Sequence, residues 1–169
     1  MTELKFLLAQ MEDLDSVFSM FTDAIKEMNK NNIDQWDNIY PDKNILKEDI
    51  SKGELYIGLY HGKIASAYVI NQESDDQYAN GHWKYPESTY YVIHRLCVNP
   101  LFQNRGIGKL TMFHIENEIR KKGIETIRLD AFTLNPYAVK LYEKLGYIKV
   151  GFANWRKGKF YLMEKKVLI

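Results

Sequence analysis

A chain of 169 residues with 46% hydrophobic residues suits one domain, residues 1–169, with a sizeable core, and an aromatic content of 14% excludes a disordered chain. The net charge of +1 argues against a dedicated nucleic-acid binder, and the single cysteine, Cys97, excludes an intrachain disulfide framework and a cysteine-rich metal site. No apolar run reaches the roughly 18 residues of a membrane span and no basic-then-apolar leader opens the chain, so the expectation is a cytoplasmic protein with no metal and no membrane partner.

Residues 4–9 read as a buried first strand. Leu14, Val17, Phe18, Phe21, Ile25 and Met28 then recur at steps of three and four, the stripe of a helix facing a core. A polar, aromatic connection (29–42) ends near Tyr40-Pro41, and a short helix follows with Asp42 as its cap and Gly53 as its stop. Residues 54–60 and 64–70 form a hairpin about His61-Gly62-Lys63. The polar stretch from Asn71 to Ser88 is too long for a simple turn and reads as functional or mobile.

Residues 89–98 form a β-rich strand, which meets Pro100, a polar loop and a helix expected from Gly106 to Lys122 with Met112, Ile115 and Ile119 inward. Another strand follows at 126–131, and this βαβ crossover makes the two strands parallel. Asn135-Pro136 caps a helix carrying Ala138, Leu141, Tyr142 and Leu145, and strands at 147–154 and 159–167 close the chain. The expected fold is α/β (α+β), a mixed, mostly antiparallel sheet of about seven strands with four helices, in the order βααβββαβαββ. Residues 140–169 carry eight Lys/Arg against two acids, either a solvated face or a collar for an anionic ligand.

Gly106-Ile107-Gly108 at the start of a helix is how a chain aims backbone N–H groups at phosphate. A Walker loop is excluded because Leu110 follows Gly108-Lys109 and position 103 is Gln. A dinucleotide fingerprint also fails: Asp130 is suitably distant, but Thr111 replaces the third glycine and seven residues separate Val98 from Gly106. What remains is a Gln/Arg-x-x-Gly-x-Gly/Ala loop, Gln103-Asn104-Arg105-Gly106-Ile107-Gly108, after a strand ending Val98-Asn99-Pro100. Downstream stands Asn135-Pro136-x-Ala138-x3-Tyr142-Glu143-Lys144-Leu145-Gly146-Tyr147. On these motifs the chain resembles the GNAT superfamily of acyl-CoA-dependent N-acetyltransferases.

The resemblance implies acetyl-CoA as cofactor and CoA as product, with the pyrophosphate on residues 103–109, Arg105 and Lys109 adding charge. It also implies that pantetheine pairs with the backbone of Leu96, Cys97 and Val98 and touches Asn135, and that the amide of Cys97 or Val98 receives the oxyanion. Tyr142 matches the family's acid for the departing thiolate; its other reading is a core aromatic. His94, two residues before Leu96, is the candidate base if strand alternation holds; otherwise ordered water takes the proton. Cys97 as an acetylated nucleophile is disfavoured.

Asp34, Trp36, Asp37, Trp83 and Trp155 are the candidate acceptor residues, suited to a cationic amine by charge and cation–π contact, with packing as the alternative. The function expected is direct acetylation of a primary amine on a small molecule, by a monomer or homodimer. The alternatives are a protein N-terminus or lysine as acceptor, or an acyl-CoA-binding sensor without turnover.

Overall fold

The computed structural model describes residues 3–168, and among them the elements follow the expected order, with three short 3-10 turns added. Seven strands share one sheet in the order β1-β2-β3-β4-β5-β7-β6, with β1 Lys5–Leu8, β2 Leu55–Tyr60, β3 Lys63–Asn71, β4 Tyr90–Val98, β5 Thr126–Phe132, β6 Ile148–Trp155 and β7 Gly158–Lys166. The helices are α1 Leu14–Lys30, α2 Lys43–Ser51, α3 Ile107–Lys121 and α4 Pro136–Lys144. Packing divides the described residues into two compact units, 3–70 with 95–111, and 71–94 with 112–168, so that β4 and α3 each contribute to both.

In the first unit the helix stripe behaves as its spacing predicts: Val17 and Phe21 are buried with Leu46 and Ile50 of α2, Leu55, Val69 and Cys97. The Asp42 side chain accepts the Ile45 N–H at 2.9 Å and starts α2. The β2–β3 turn puts His61 (φ 51°) and Gly62 (φ 72°) in the left-handed region, as a two-residue hairpin requires. The first strand corrects the expectation of burial. β1 pairs with β2 at the end of the sheet order, and Leu7 and Leu8 are 39% and 41% exposed. An edge strand keeps one side in solvent, and apolar composition alone does not separate it from a central one.

In the second unit β4 and β5 are parallel from Tyr90↔Thr126 to Ile93↔Leu129, and β5 pairs antiparallel with β7 along its length. The core side of α3 carries a buried carboxylate besides its apolar residues. Glu116, 2% exposed, receives Lys165 Nζ at 2.9 Å and the Tyr147 hydroxyl at 3.1 Å, which satisfies a charge otherwise costly to bury. Burial raises the phenols of Tyr78, Tyr142 and Tyr147, helped by Asp130 for the first two and Glu116 for the third. Because folded values lie above the unfolded value of about 10, the stability these phenols contribute is present below pH ~10 and lost as pH rises past it. We expect part of the tyrosinate absorbance to appear only together with the loss of circular dichroism above that pH, and full tyrosinate absorbance while the circular dichroism is still native would contradict this.

Candidate active site

The β4–α3 connection is built for an anion. Asn99 closes β4 by donating its N–H to Ala65 O (2.8 Å) and its side-chain amide to Ile64 O (2.7 Å), while its Oδ1 accepts the Leu101 N–H (3.0 Å). A 3-10 turn over Pro100–Phe102 leads to Gln103, Asn104 and Arg105, all exposed. Asn104 (φ 62°) and Gly106 (φ 75°) are both left-handed, and such alternation turns successive N–H groups toward one concavity ahead of the α3 N-terminus.

A Cβ on Gly106 would meet no protein atom within 4 Å, so within the protein this residue is glycine for its φ. Gly108 belongs to the first turn of α3, which begins at Ile107 rather than at Gly106. That turn is pinned by Thr111, whose hydroxyl donates to Ile107 O at 2.8 Å and lies 2.9 Å from Ser66 Oγ. It contains no acid, and the exposed Lys109 and Arg105 add positive charge to the dipole.

The strand leading into this loop has a break. β4 pairs with β5 only as far as Ile93↔Leu129, although β5 continues to Phe132. Two residues on, Arg95 takes φ 50°, which costs a non-glycine residue about 1–2 kcal/mol. Since the Asn99 N–H points to β3, strand alternation turns the N–H of Val98 away from β3, and that of Cys97 toward it. The Cys97 thiol is packed in the core and burial pushes its pKa up, which leaves it protonated and unreactive.

The remaining candidates belong to the second unit. Buried Asn135 caps α4 by accepting the Ala138 N–H at 3.2 Å. Tyr142 is buried, edge-on to Tyr147 with centroids 5.9 Å apart, and its phenol is raised by burial and then by Asp130. His94 Nε2 stands 2.8 Å from Asn71 Oδ1 and 3.1 Å from Glu73 O. Asn71 Oδ1 also accepts the Glu73 N–H, so both neighbours are acceptors and Nε2 carries the hydrogen, making Nδ1 the basic nitrogen. The left-handed Arg95 interrupts the alternation on which a shared face for His94 and Leu96 depends.

A further candidate that residue order did not reveal is Asp130. It is the first β5 residue beyond the last pair with β4 and accepts the Tyr78 hydroxyl at 2.7 Å. An acid within the strand segment Ile127-Arg128-Leu129-Asp130-Ala131 was the available signal.

Most acceptor candidates serve as structure. Trp36 is 8% exposed and packs on Phe21 at 5.4 Å between centroids, while Asp37 accepts the Ile39 and Tyr40 N–H groups in a turn; Asp34 is exposed. Trp83 donates to Tyr78 O at 2.9 Å and stacks against Arg128, whose guanidinium lies 4.3 Å from its ring and 3.9 Å from that of Tyr90. Trp155 donates to Asp75 Oδ1 at 3.1 Å. The long stretch before β4 is thus tied down, chiefly by fully buried Glu164, which accepts the Lys84 N–H at 2.7 Å.

With this geometry in view, comparison with known proteins is decisive for the family. The model described as "Acetyltransferase (GNAT) family" matches residues 19–147. The chain belongs to that family. A structure of a GNAT-family acetyltransferase from Streptococcus agalactiae superposes with a TM-score of 0.84 at 23% identity, over 96% of this chain and 95% of that one. The PaiA N-acetyltransferase of Thermoplasma acidophilum, solved in complex with coenzyme A, gives 0.72 at 18% identity over 97% and 99%. These two likenesses speak for the GNAT fold alone. The [ribosomal protein bS18]-alanine N-acetyltransferase of Escherichia coli K12 is 31% identical over 100 residues, 57% of this chain and 58% of that protein, so the match spans less than two thirds of the relative.

Proposed function

We propose that this GNAT chain, as one domain over residues 1–169, transfers the acetyl group of acetyl-CoA directly to a primary amine. The observation that carries the proposal is the break in β4. The β4–β5 pairs run to Ile93↔Leu129, Arg95 then takes a left-handed φ, and strand alternation directs the Val98 N–H away from β3, just before a left-handed loop that suits a pyrophosphate.

Each residue then has a task. Residues 103–109 hold the pyrophosphate, Leu96 and Val98 pair with pantetheine, and the Val98 N–H receives the oxyanion as the amine nitrogen bonds to the thioester carbon. Asn135 and Tyr142 take the pantetheine and sulfur end. Because its phenol is held above its ordinary value, Tyr142 keeps its proton and serves the departing sulfur first as a hydrogen-bond donor.

The ammonium proton has two candidate acceptors, His94 through Nδ1 and the Asp130 carboxylate held by Tyr78. If His94 is the base, His94→Ala removes the acidic limb of the kcat/KM profile. A limb that survives assigns the proton to Asp130 or to water.

The acceptor we propose is a small molecule, because the connection before β4 is densely packed by aromatic contacts around Tyr78, Trp83 and Trp155. The second reading is a protein N-terminus, favoured by the bS18-alanine specificity in the name of the Escherichia coli relative. Turnover compared between a panel of small amines and a peptide with an N-terminal alanine separates the two. A peptide that outperforms every small amine overturns the small-molecule reading.

A further inference from the structure

We infer that Arg95 is a positioning residue for this transfer: its ion pair with Asp49 and its bond to Tyr40 hold β4 in the left-handed break that aims the Val98 N–H at the thioester oxygen. The inference rests on the acetyl-transfer reading above. Among the described residues, the other non-glycine residues with positive φ, Asn32, His61 and Asn104, lie in turns, whereas Arg95 lies inside a strand. Arginine does not adopt this conformation spontaneously, so something must hold it.

The holding group is visible. Arg95 Nη2 donates to Asp49 Oδ1 at 2.6 Å and Nε donates to Oδ2 at 2.9 Å, a two-point fork that lysine cannot copy. Asp49 is 6% exposed on α2, whose neighbouring Leu46 and Ile50 are core residues, so the anchor is fixed by packing. The remaining guanidinium donor, Nη1, reaches Tyr40 Oη at 2.9 Å.

Parity explains why the break matters. A left-handed residue interrupts strand alternation, so a variant that leaves this conformation no longer fixes which amide faces away from β3 at Val98. The oxyanion donor would then point the wrong way while the pyrophosphate loop stayed intact. Tyr40 ends the α1–α2 connection expected to serve the acceptor, so this segment and the strand hang on one guanidinium.

The test compares Arg95→Lys, Arg95→Gly, Arg95→Ala and Tyr40→Phe in steady-state transfer, with CoA affinity by calorimetry and melting temperature for each. Arg95→Lys is expected to lose about 10²-fold in kcat at unchanged CoA affinity, the scale of a misplaced reacting group. Arg95→Gly should retain more kcat than Arg95→Ala, because glycine takes the left-handed region freely even though it weakens a strand. A merely structural arginine loses kcat only in step with melting temperature, so its lysine variant keeps wild-type kcat wherever it stays folded. An Arg95→Lys protein with wild-type kcat, or alanine matching glycine, overturns the inference. If the Arg95 variants do not fold, Tyr40→Phe decides: kcat reduced several-fold supports the clasp, and wild-type kcat overturns it. A wild-type protein that binds CoA without transferring acetyl to any amine overturns the transfer reading, and the role of Arg95 with it.

Discussion

Gly106→Val is expected to weaken CoA binding by about tenfold or more, with a smaller effect on melting temperature. At φ 75° a β-branched residue pays the left-handed penalty of about 1–2 kcal/mol or more, and a tenfold change in affinity corresponds to about 1.4 kcal/mol. The added Cβ itself clashes with nothing beyond its chain neighbours, since it meets no atom within 4 Å. The loop therefore escapes the strain by leaving its left-handed turn, and the N–H groups it gathers lose their common direction. Gly106→Asn is the control, because asparagine tolerates this region, as Asn104 already does two residues earlier. Calorimetric titration with CoA should rank the affinities wild type, Asn, Ala, Val. Equal affinity for the valine protein would mean that the loop does not hold the pyrophosphate.

Tyr142→Phe is expected to lower kcat by roughly 10²-fold while acetyl-CoA affinity is kept. The substitution preserves the ring, and hence the edge-on contact with Tyr147, so the packing reading predicts no kinetic change. What it removes is a hydroxyl whose proton is retained under all ordinary conditions, the property needed to meet a thiolate as it forms. A kcat equal to wild type would leave Tyr142 as a core aromatic, and Asn135 as the remaining α4 contact proposed for the cofactor. Pre-steady-state thiol release distinguishes a slowed chemical step from slowed product release.

Much of this was legible from residue order, for identifiable reasons. Gly53, Gly62, Gly106 and Asn135-Pro136 punctuate the chain because their backbone preferences are local, so helix ends, the hairpin and the β4–α3 loop could be located within a residue or two. The parallel pairing of β4 with β5 followed from the length of the crossover between them. The break at Arg95 was hidden because arginine carries no turn preference; the cause is Asp49 on another element, 46 residues away. Buried acids were opaque for the same reason. Glu164 meets the Lys84 amide 80 residues away, Glu116 meets Lys165 at a separation of 49, and Asp130 meets the Tyr78 hydroxyl at 52. A strand at the edge of the sheet, β1, has the apolar composition of a central one, so its exposure could be seen only once its neighbours were known. Trp36, Trp83 and Trp155 are candidate acceptor walls because an aromatic beside acids suits a cation; the structural partner that each also has could not be read from residue order.

The central claim is acetyl transfer from acetyl-CoA to an amine, and the most direct measurement follows both products at once. Purified protein is mixed with acetyl-CoA and each acceptor, free thiol is read by absorbance, and N-acetylated product is quantified by mass spectrometry. Amine-dependent thiol release with one N-acetyl group formed per thiol is the predicted result. Thiol release that ignores the amine, or tight acetyl-CoA binding with no thiol released across small amines and the alanine peptide alike, would contradict it.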